Sequence, residues 1–177
     1  MLGLLNRSIV HKTEQIMLPL YKSLIRPLLE YCIPAWSPHY QRDKHLIERI
    51  QHKFTRMVKG YSVLDYDERL NRLHLWSLEE RRNRADLIEM YKISHQMSAI
   101  KLQDMFQLVP DSRTRGHPLK LYKHRSRLDL RRHFFSERVV DRWNSLDEDT
   151  VSSASVNAFK SRLGHIRQKK MGFFTDH

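Results

Sequence analysis

Apolar positions recur at helical spacing along much of the chain, most clearly between Leu18 and Gly60. On a wheel of about 100° per residue, Leu46, Ile47, Ile50, Phe54, Met57 and Val58 fall within an arc of roughly 120°, the stripe of an amphipathic helix. Arg42, His45, Arg49, His52, Lys53, Arg56 and Lys59 share the opposite arc, broken near its edge by Glu48. The pattern predicts a helix that packs by one face and offers positive charge on the other. Before it, Ile16, Met17, Leu20, Tyr21, Leu24, Ile25, Leu28, Leu29 and Tyr31 cover more than half of a wheel. That spread predicts a mostly buried helix with a narrow polar stripe of Gln15, Lys22, Arg26 and Glu30. Pro27 lacks an N–H and is expected to kink it, and Pro34 and Pro38 end it. Ser37 or Asp43 is placed to cap the next helix.

A short helix over Leu2 to Val10, joined through His11 to Glu14, opens the chain as part of a helical hairpin. Gly60 stops the basic helix. Asp65 with Glu68 and Ser77 with Glu80 have capping-box spacing, predicting helices over about Tyr66 to Leu73 and Leu78 to Met97. In the second of these, Leu87, Ile88, Met90, Tyr91 and Ile93 place apolar groups nearly all round, as in a centrally buried helix. Its first half carries Arg81, Arg82 and Arg84 among Glu79, Glu80 and Asp86, which reads as an ion-paired surface rather than a phosphate site. Pro110, Asp111, Ser112, Gly116 and Pro118 mark a loop. Leu119 and Leu121, then Leu128 and Leu130, alternate with polar residues on either side of His124 to Arg127, the pattern of a β-hairpin. Helices over Ser136 to Leu146 and over Val156 to Ile166, the latter capped by Ser155, follow. The expected fold is mainly α: a helical bundle over 1–98, a linker over 99–118, a small basic α+β module with a short hairpin over 119–166, and a basic flexible tail over 167–177.

Charge changes the picture. The 177 residues hold 32 Lys and Arg against 20 Asp and Glu, a net charge of +12, which favours a polyanionic partner, most simply nucleic acid. An anionic membrane surface is the weaker alternative. No apolar run approaches the roughly 20 residues that span a bilayer, and Asn6 and Arg7 interrupt the apolar start, so the protein is expected to be intracellular, nuclear or cytoplasmic. The single cysteine, Cys32, excludes an intrachain disulfide and is expected in the core. No two of the eleven histidines are spaced i,i+4 and there is no G-x-S-x-G elbow, so no metal site or hydrolase is expected. With five glycines there is no phosphate-cradling loop either, and no cofactor is expected.

Between Arg113 and Trp143, ten Lys and Arg face three Asp and Glu, a net +7 of the total +12. Tyr122, Phe134, Phe135 and Trp143 are interleaved with these charges, the combination that pairs phosphate contacts with base stacking. Phe134, Phe135 and Trp143 read better as core anchors, and Tyr122 as either. The candidate nucleic-acid contacts are Arg113, Arg115, Lys120, Tyr122, Lys123, Arg125 and Arg127 here, and Arg42, Arg49, Lys53 and Arg56 on the basic helix.

The stretches LYKSLIRPLLEY, WSP and LIERIQHKFTRMVKG within Leu20 to Gly60 are similar to the thumb region of LINE-type (non-LTR) retrotransposon reverse transcriptases of the jockey and chicken-repeat kind. The resemblance continues in order through Tyr66 to Ile93, Ser112 to Lys123 and Phe134 to Leu163. It implies a piece of an RNA-directed DNA polymerase whose basic face, Arg42, Arg49, Lys53 and Arg56, holds the template–primer duplex by its backbone. It also implies a further partner, the palm and fingers of such an enzyme. Palm carboxylates hold the catalytic metals in that chemistry. The family's signature, an aromatic and a variable residue before Asp-Asp, is missing; Asp65-Tyr66-Asp67 and Asp147-Glu148-Asp149 do not match it. The chain is therefore expected to be a non-catalytic C-terminal fragment, not an enzyme by itself. The alternatives are a helical protein-interaction module built on Pro27, Trp36 and the helix before them, and a decayed element fragment with no independent function.

Overall fold

The computed structural model describes residues 1–110 and 116–176. It is mainly helical, and its described residues divide into two compact units: Met1–Cys32 with Pro38–Arg81, and Ile33–Ser37 with Arg82–His177. The division falls inside one helix, between Arg81 and Arg82, whereas the described residues of the proline-bearing stretch 99–118 belong to the second unit.

In the first unit, α1 (Leu2–Ser8) precedes α2 (Glu14–Leu20), a π-helical turn (Tyr21–Ile25) and α3 (Arg26–Glu30). The π turn lies just ahead of Pro27, where a proline ring would collide with the carbonyl one regular turn back. Widening the turn relieves that collision, and Arg26 N–H reaches Tyr21 O, five residues back. α4 (Gln41–Met57) and α5 (Tyr66–Arg72) complete the unit together with the first turn of α6 (Leu78–Ser94). Leu5, Met17, Tyr21, Ile25, Phe54, Val58, Leu70, Leu73 and Leu75 form its core, with Tyr21 and Phe54 stacked at 4.4 Å.

The expected capping box forms in full at Ser77 and Glu80, whereas at Asp65 only its N-cap half forms, the Glu68 carboxylate pairing with Arg72 instead. Asp65 Oδ1 accepts from Glu68 N at 2.7 Å. Ser77 Oγ accepts from Glu80 N at 3.2 Å while Glu80 Oε2 accepts from Ser77 N at 3.0 Å. α4 instead begins after Tyr40 with no side-chain cap, from Ser37, Asp43 or any other residue. The α2–α3 segment is less buried than expected: Met17, Tyr21 and Ile25 pack inward, but Ile16, Leu24, Leu28 and Tyr31 are exposed. A single face suffices for the core of this unit, so the rest of the apolar wheel is left to solvent. Cys32 is also exposed rather than buried, at a left-handed backbone position (φ 54°) that ends the segment.

The second unit holds the rest of α6, followed by α7 (Leu102–Met105), α8 (Asp129–Arg132), α9 (Phe135–Arg138), α10 (Val140–Asn144), α11 (Glu148–Val151) and α12 (Val156–Lys169). Leu87, Met90, Tyr91 and Ile93 of α6 are buried as predicted, Tyr91 stacking on Phe159 at 4.4 Å and donating its hydroxyl to Ser153 O. Trp143 and Phe135 are core residues, whereas Phe134 is exposed beneath the Arg131 guanidinium. The expected hairpin is replaced by other pairing. Leu121 forms an isolated antiparallel bridge with Leu108, through Val109 N–Lys120 O at 2.9 Å and Tyr122 N–Gln107 O at 2.7 Å. Its other edge is taken by the Asn144 side chain, so no position remains for Leu128 and Leu130; Leu130 lies in α8 and Leu128 immediately precedes it.

The expected flexible tail is instead held at residues 173–175. Phe174 is buried, Asn83 Nδ2 donates to its carbonyl at 2.8 Å, and Arg142 donates to Phe173 O and Thr175 O. One aromatic residue buried with satisfied carbonyls outweighs the polar composition of the tail. No helix among the described residues is long and apolar enough to cross a membrane.

Candidate nucleic-acid interface

α4 is oriented by polar chemistry that its sequence pattern does not advertise. Its fully buried residues are Gln51, Phe54 and Thr55, followed by Val58 just past its end, whereas Leu46 is 50% exposed. The buried face is thus turned by roughly 70° on the helical wheel from the apolar stripe. Gln51 explains the rotation. Its Nε2 lies 3.0 Å from Trp76 O, 3.1 Å from Tyr66 Oη and 3.2 Å from Glu48 Oε1, and its Oε1 accepts from the Tyr21 hydroxyl. Glu48 in turn accepts from the Tyr66 hydroxyl and, at 2.8 Å, from Leu78 N at the start of α6. Burial raises the Glu48 carboxyl above its ordinary range, opposed by these hydrogen bonds, and raises both tyrosine hydroxyls. A network satisfied on every side specifies one orientation of the helix.

That orientation places Arg42, Arg49, Lys53 and Arg56 within an arc of about 60° opposite the buried face. All four are exposed, and among the described residues none has a carboxylate within ion-pair distance. Other cations of this unit are neutralised: Lys44 by Glu79 at 2.7 Å, Arg72 by Glu68 at 2.7 Å and Arg81 by Glu30 through two hydrogen bonds. Arg49, Lys53 and Arg56 follow at i, i+4, i+7, so their Cβ atoms rise in steps of about 5–6 Å along one line.

A fifth cation adjoins this face and was not legible in the sequence. Arg69 of α5 is 2% exposed, 5.6 Å from the Tyr66 ring centroid, with Nη2 3.0 Å from His52 Nε2. Arginine only donates, so His52 Nε2 must accept there. Burial, then the charges of Arg69 and Arg56, depress the His52 pKa, and burial with Arg56 lowers that of Arg69. The guanidinium has no carboxylate within ion-pair distance among the described residues, Asp65 acting on it only from farther away.

The candidates of the second unit are dispersed. Arg113 and Arg115 lie outside the described residues. Lys120 is partly buried, with its side-chain carbon Cε 3.0 Å from where a Cβ on Gly116 would stand. Tyr122 is half exposed and meets His124 edge-on at 5.0 Å; Lys123 is ion-paired with Asp141. Arg125 and Arg127 are exposed and line an open cleft with Arg131, which was not among the sequence candidates. Comparison of the chain with protein-family models, curated proteins and solved structures finds no match.

Proposed function

We propose that the chain is a nucleic-acid-binding, non-catalytic portion of a LINE-type reverse transcriptase, holding a duplex by its phosphates with little sequence preference. The observation that carries this reading is the row Arg42, Arg49, Lys53 and Arg56: four exposed cations on one helix face with no carboxylate partner among the described residues. Free cations in a line gain from meeting a row of phosphates because they release the counterions condensed on it, and they surrender no existing ion pair. The ordered resemblance of the sequence blocks to the thumb region supports the same assignment. The absence of an Asp-Asp pair from the sequence supports a binding rather than a polymerising role.

The test is fluorescence anisotropy against RNA–DNA hybrid, duplex DNA and single strands over a salt series. Replacing Arg49, Lys53 and Arg56 together by Gln is expected to weaken every sequence alike and to flatten the log–log salt dependence by roughly 3. Helix content is expected to persist, because Gln is a good helix former and the three side chains face solvent. An unchanged slope would remove α4 from the interface.

A second reading, a protein-interaction module, draws on Leu24 and Leu28 on the α2–α3 segment and Tyr31 just past its end, which are 40%, 62% and 74% exposed. Apolar groups contiguous on a surface mark interaction sites. Failure of the parent protein to bind any nucleic acid at low salt would favour it.

A further inference from the structure

His52 sits at the border of α4, between its buried face and the row of free cations, about 40° around the wheel from Arg56. Its Nε2 accepts from Arg69 Nη2 at 3.0 Å, and its ring lies 4.8 Å from that of Tyr66. Arg69 itself is 2% exposed, and its Nε is buried with no hydrogen-bond partner. Arg56 stands one turn along α4 from His52, and its charge acts on both His52 and Arg69. The groups that face His52 are thus Arg56 from its own helix and Arg69 and Tyr66 from α5. Among the described residues no carboxylate lies within ion-pair distance of His52, Arg56 or Arg69, and Asp65 acts on Arg69 only from farther away.

Two guanidinium groups gathered around one imidazole repel each other, and the buried one has lost its water without gaining a counter-charge. The free protein limits the repulsion by keeping the imidazole neutral. Burial first, then Arg69 and Arg56, hold the His52 pKa below its ordinary value, and only the neutral ring accepts from an arginine. We propose that Arg56, His52 and Arg69 form one phosphate subsite of the α4 face, filled with uptake of a solvent proton by His52. A backbone phosphate beside Arg56 supplies the missing negative charge and favours the imidazolium. The new Nε2–H donates to a phosphate oxygen, and Arg69 Nη2, released from the ring, turns its charge to the same anion. The subsite rests on the reading of α4 as the duplex-binding face, to which it adds a buried arginine and a dependence on pH. The His52 pKa is higher with the phosphate in place than without it. Affinity therefore rises as the pH falls through the bound value and levels off below the free value.

Fluorescence anisotropy of a short RNA–DNA hybrid at pH 8 and pH 6, at constant ionic strength, tests it in the parent, His52→Gln and Arg56→Gln. The phosphodiester stays ionised throughout this range, so the titrating group belongs to the protein. Gln at position 52 keeps an acceptor for Arg69 but takes up no proton, and Arg56 is exposed, so both variants keep the fold. Between pH 8 and pH 6 the parent is expected to gain at least about threefold more affinity than His52→Gln, within the tenfold per pH unit that one proton allows. Arg56→Gln is expected to lose most of that excess, because no phosphate is then held against the ring. Calorimetry in buffers of different ionisation enthalpy is expected to show more proton uptake by the parent than by His52→Gln, a difference that histidines common to both do not produce. Equal gains in parent and His52→Gln, or an excess undiminished in Arg56→Gln, overturn the subsite while a flattened salt slope in the Arg49, Lys53 and Arg56 triple variant still supports α4. An unchanged slope in that variant overturns the α4 reading and the subsite with it.

Discussion

Asn144 exchanges two hydrogen bonds with the backbone of Leu121, accepting from its N–H and donating to its carbonyl, both at 2.8 Å. A side-chain amide thereby does for one extended residue what a neighbouring strand would do. Trp143 Nε1 donates to Leu119 O at 2.7 Å beside it, so two consecutive residues of α10 anchor the segment that leads into the basic cleft. Leu121 is buried, and neither backbone group could turn to water if Asn144 were lost. Asn144→Ala is expected to destabilise the second unit by about 2–4 kcal/mol, the sum expected for two stranded buried groups. Denaturant unfolding measures it, and a change below about 0.5 kcal/mol would show that the pairing contributes nothing.

The network around Gln51 makes a parallel prediction for the first unit. Gln51→Ala strands the Trp76 carbonyl and the Tyr21 hydroxyl and is expected to cost about 2–4 kcal/mol. Lys53→Gln, two residues on but facing solvent, is expected to stay within about 0.5 kcal/mol. Comparable losses in both variants would contradict the observed rotation of α4.

His117 sets a pH dependence. It is fully buried, donates from Nε2 to Trp143 O at 3.0 Å, and meets the Trp143 ring edge-on at 5.5 Å. Burial lowers its pKa, with Lys120 adding to the effect and the Trp143 carbonyl opposing it. The unfolded chain therefore binds a proton before the folded chain does. The stability contributed by neutral His117 is complete above the unfolded value of about 6.5 and is lost as the pH falls below it. Thermal melts at pH 7.5 and 5 are expected to show a smaller drop in His117→Gln, which keeps a donor but does not titrate. Equal drops in parent and variant would exclude His117 as a contributor.

The carboxyl-terminal residues are expected to matter for stability. Phe174→Ala removes a ring that is 1% exposed and should cost about 3–5 kcal/mol. A chain ending at Lys170 should show a similar loss in the same unfolding experiment. A neutral result in both would mean that the tail is frayed in solution.

Truncation after Ser98 removes the residues that cover the second half of α6, among them Phe159 and Ser153, which hold Tyr91. The shortened chain is expected to keep the core of the first unit but to lose the helix beyond about Arg81. Circular dichroism should then show less helix than Leu2 to Ser94 contribute in the whole chain. Full retention would show that α6 stands without the second unit.

Local chemistry decided much of this protein within the sequence itself. Ser77 with Glu80, Asp65 with Glu68, and Ser155 each hold the atoms that cap a helix within four residues, so the starts of α5, α6 and α12 were readable. The burial of Tyr91 and Ile93 and the basic face of α4 followed from periodicity for the same reason, while the reading of the aromatics as core anchors holds for Phe135 and Trp143 but not for the exposed Phe134. What required the tertiary structure was every feature whose partners lie far apart in the chain. Gln51 meets Trp76 and Tyr21, Asn144 meets Leu121, and Asn83 meets Phe174; no spacing rule connects them. Helix ends at His74 and Gln96 were equally silent, because both adopt the left-handed conformation that sequence patterns assign to glycine. A polar side chain carries the same one-dimensional signal whether it faces water or fills a network. Only packing, which sets the cost of leaving its hydrogen bonds unmade, determines which of the two it does.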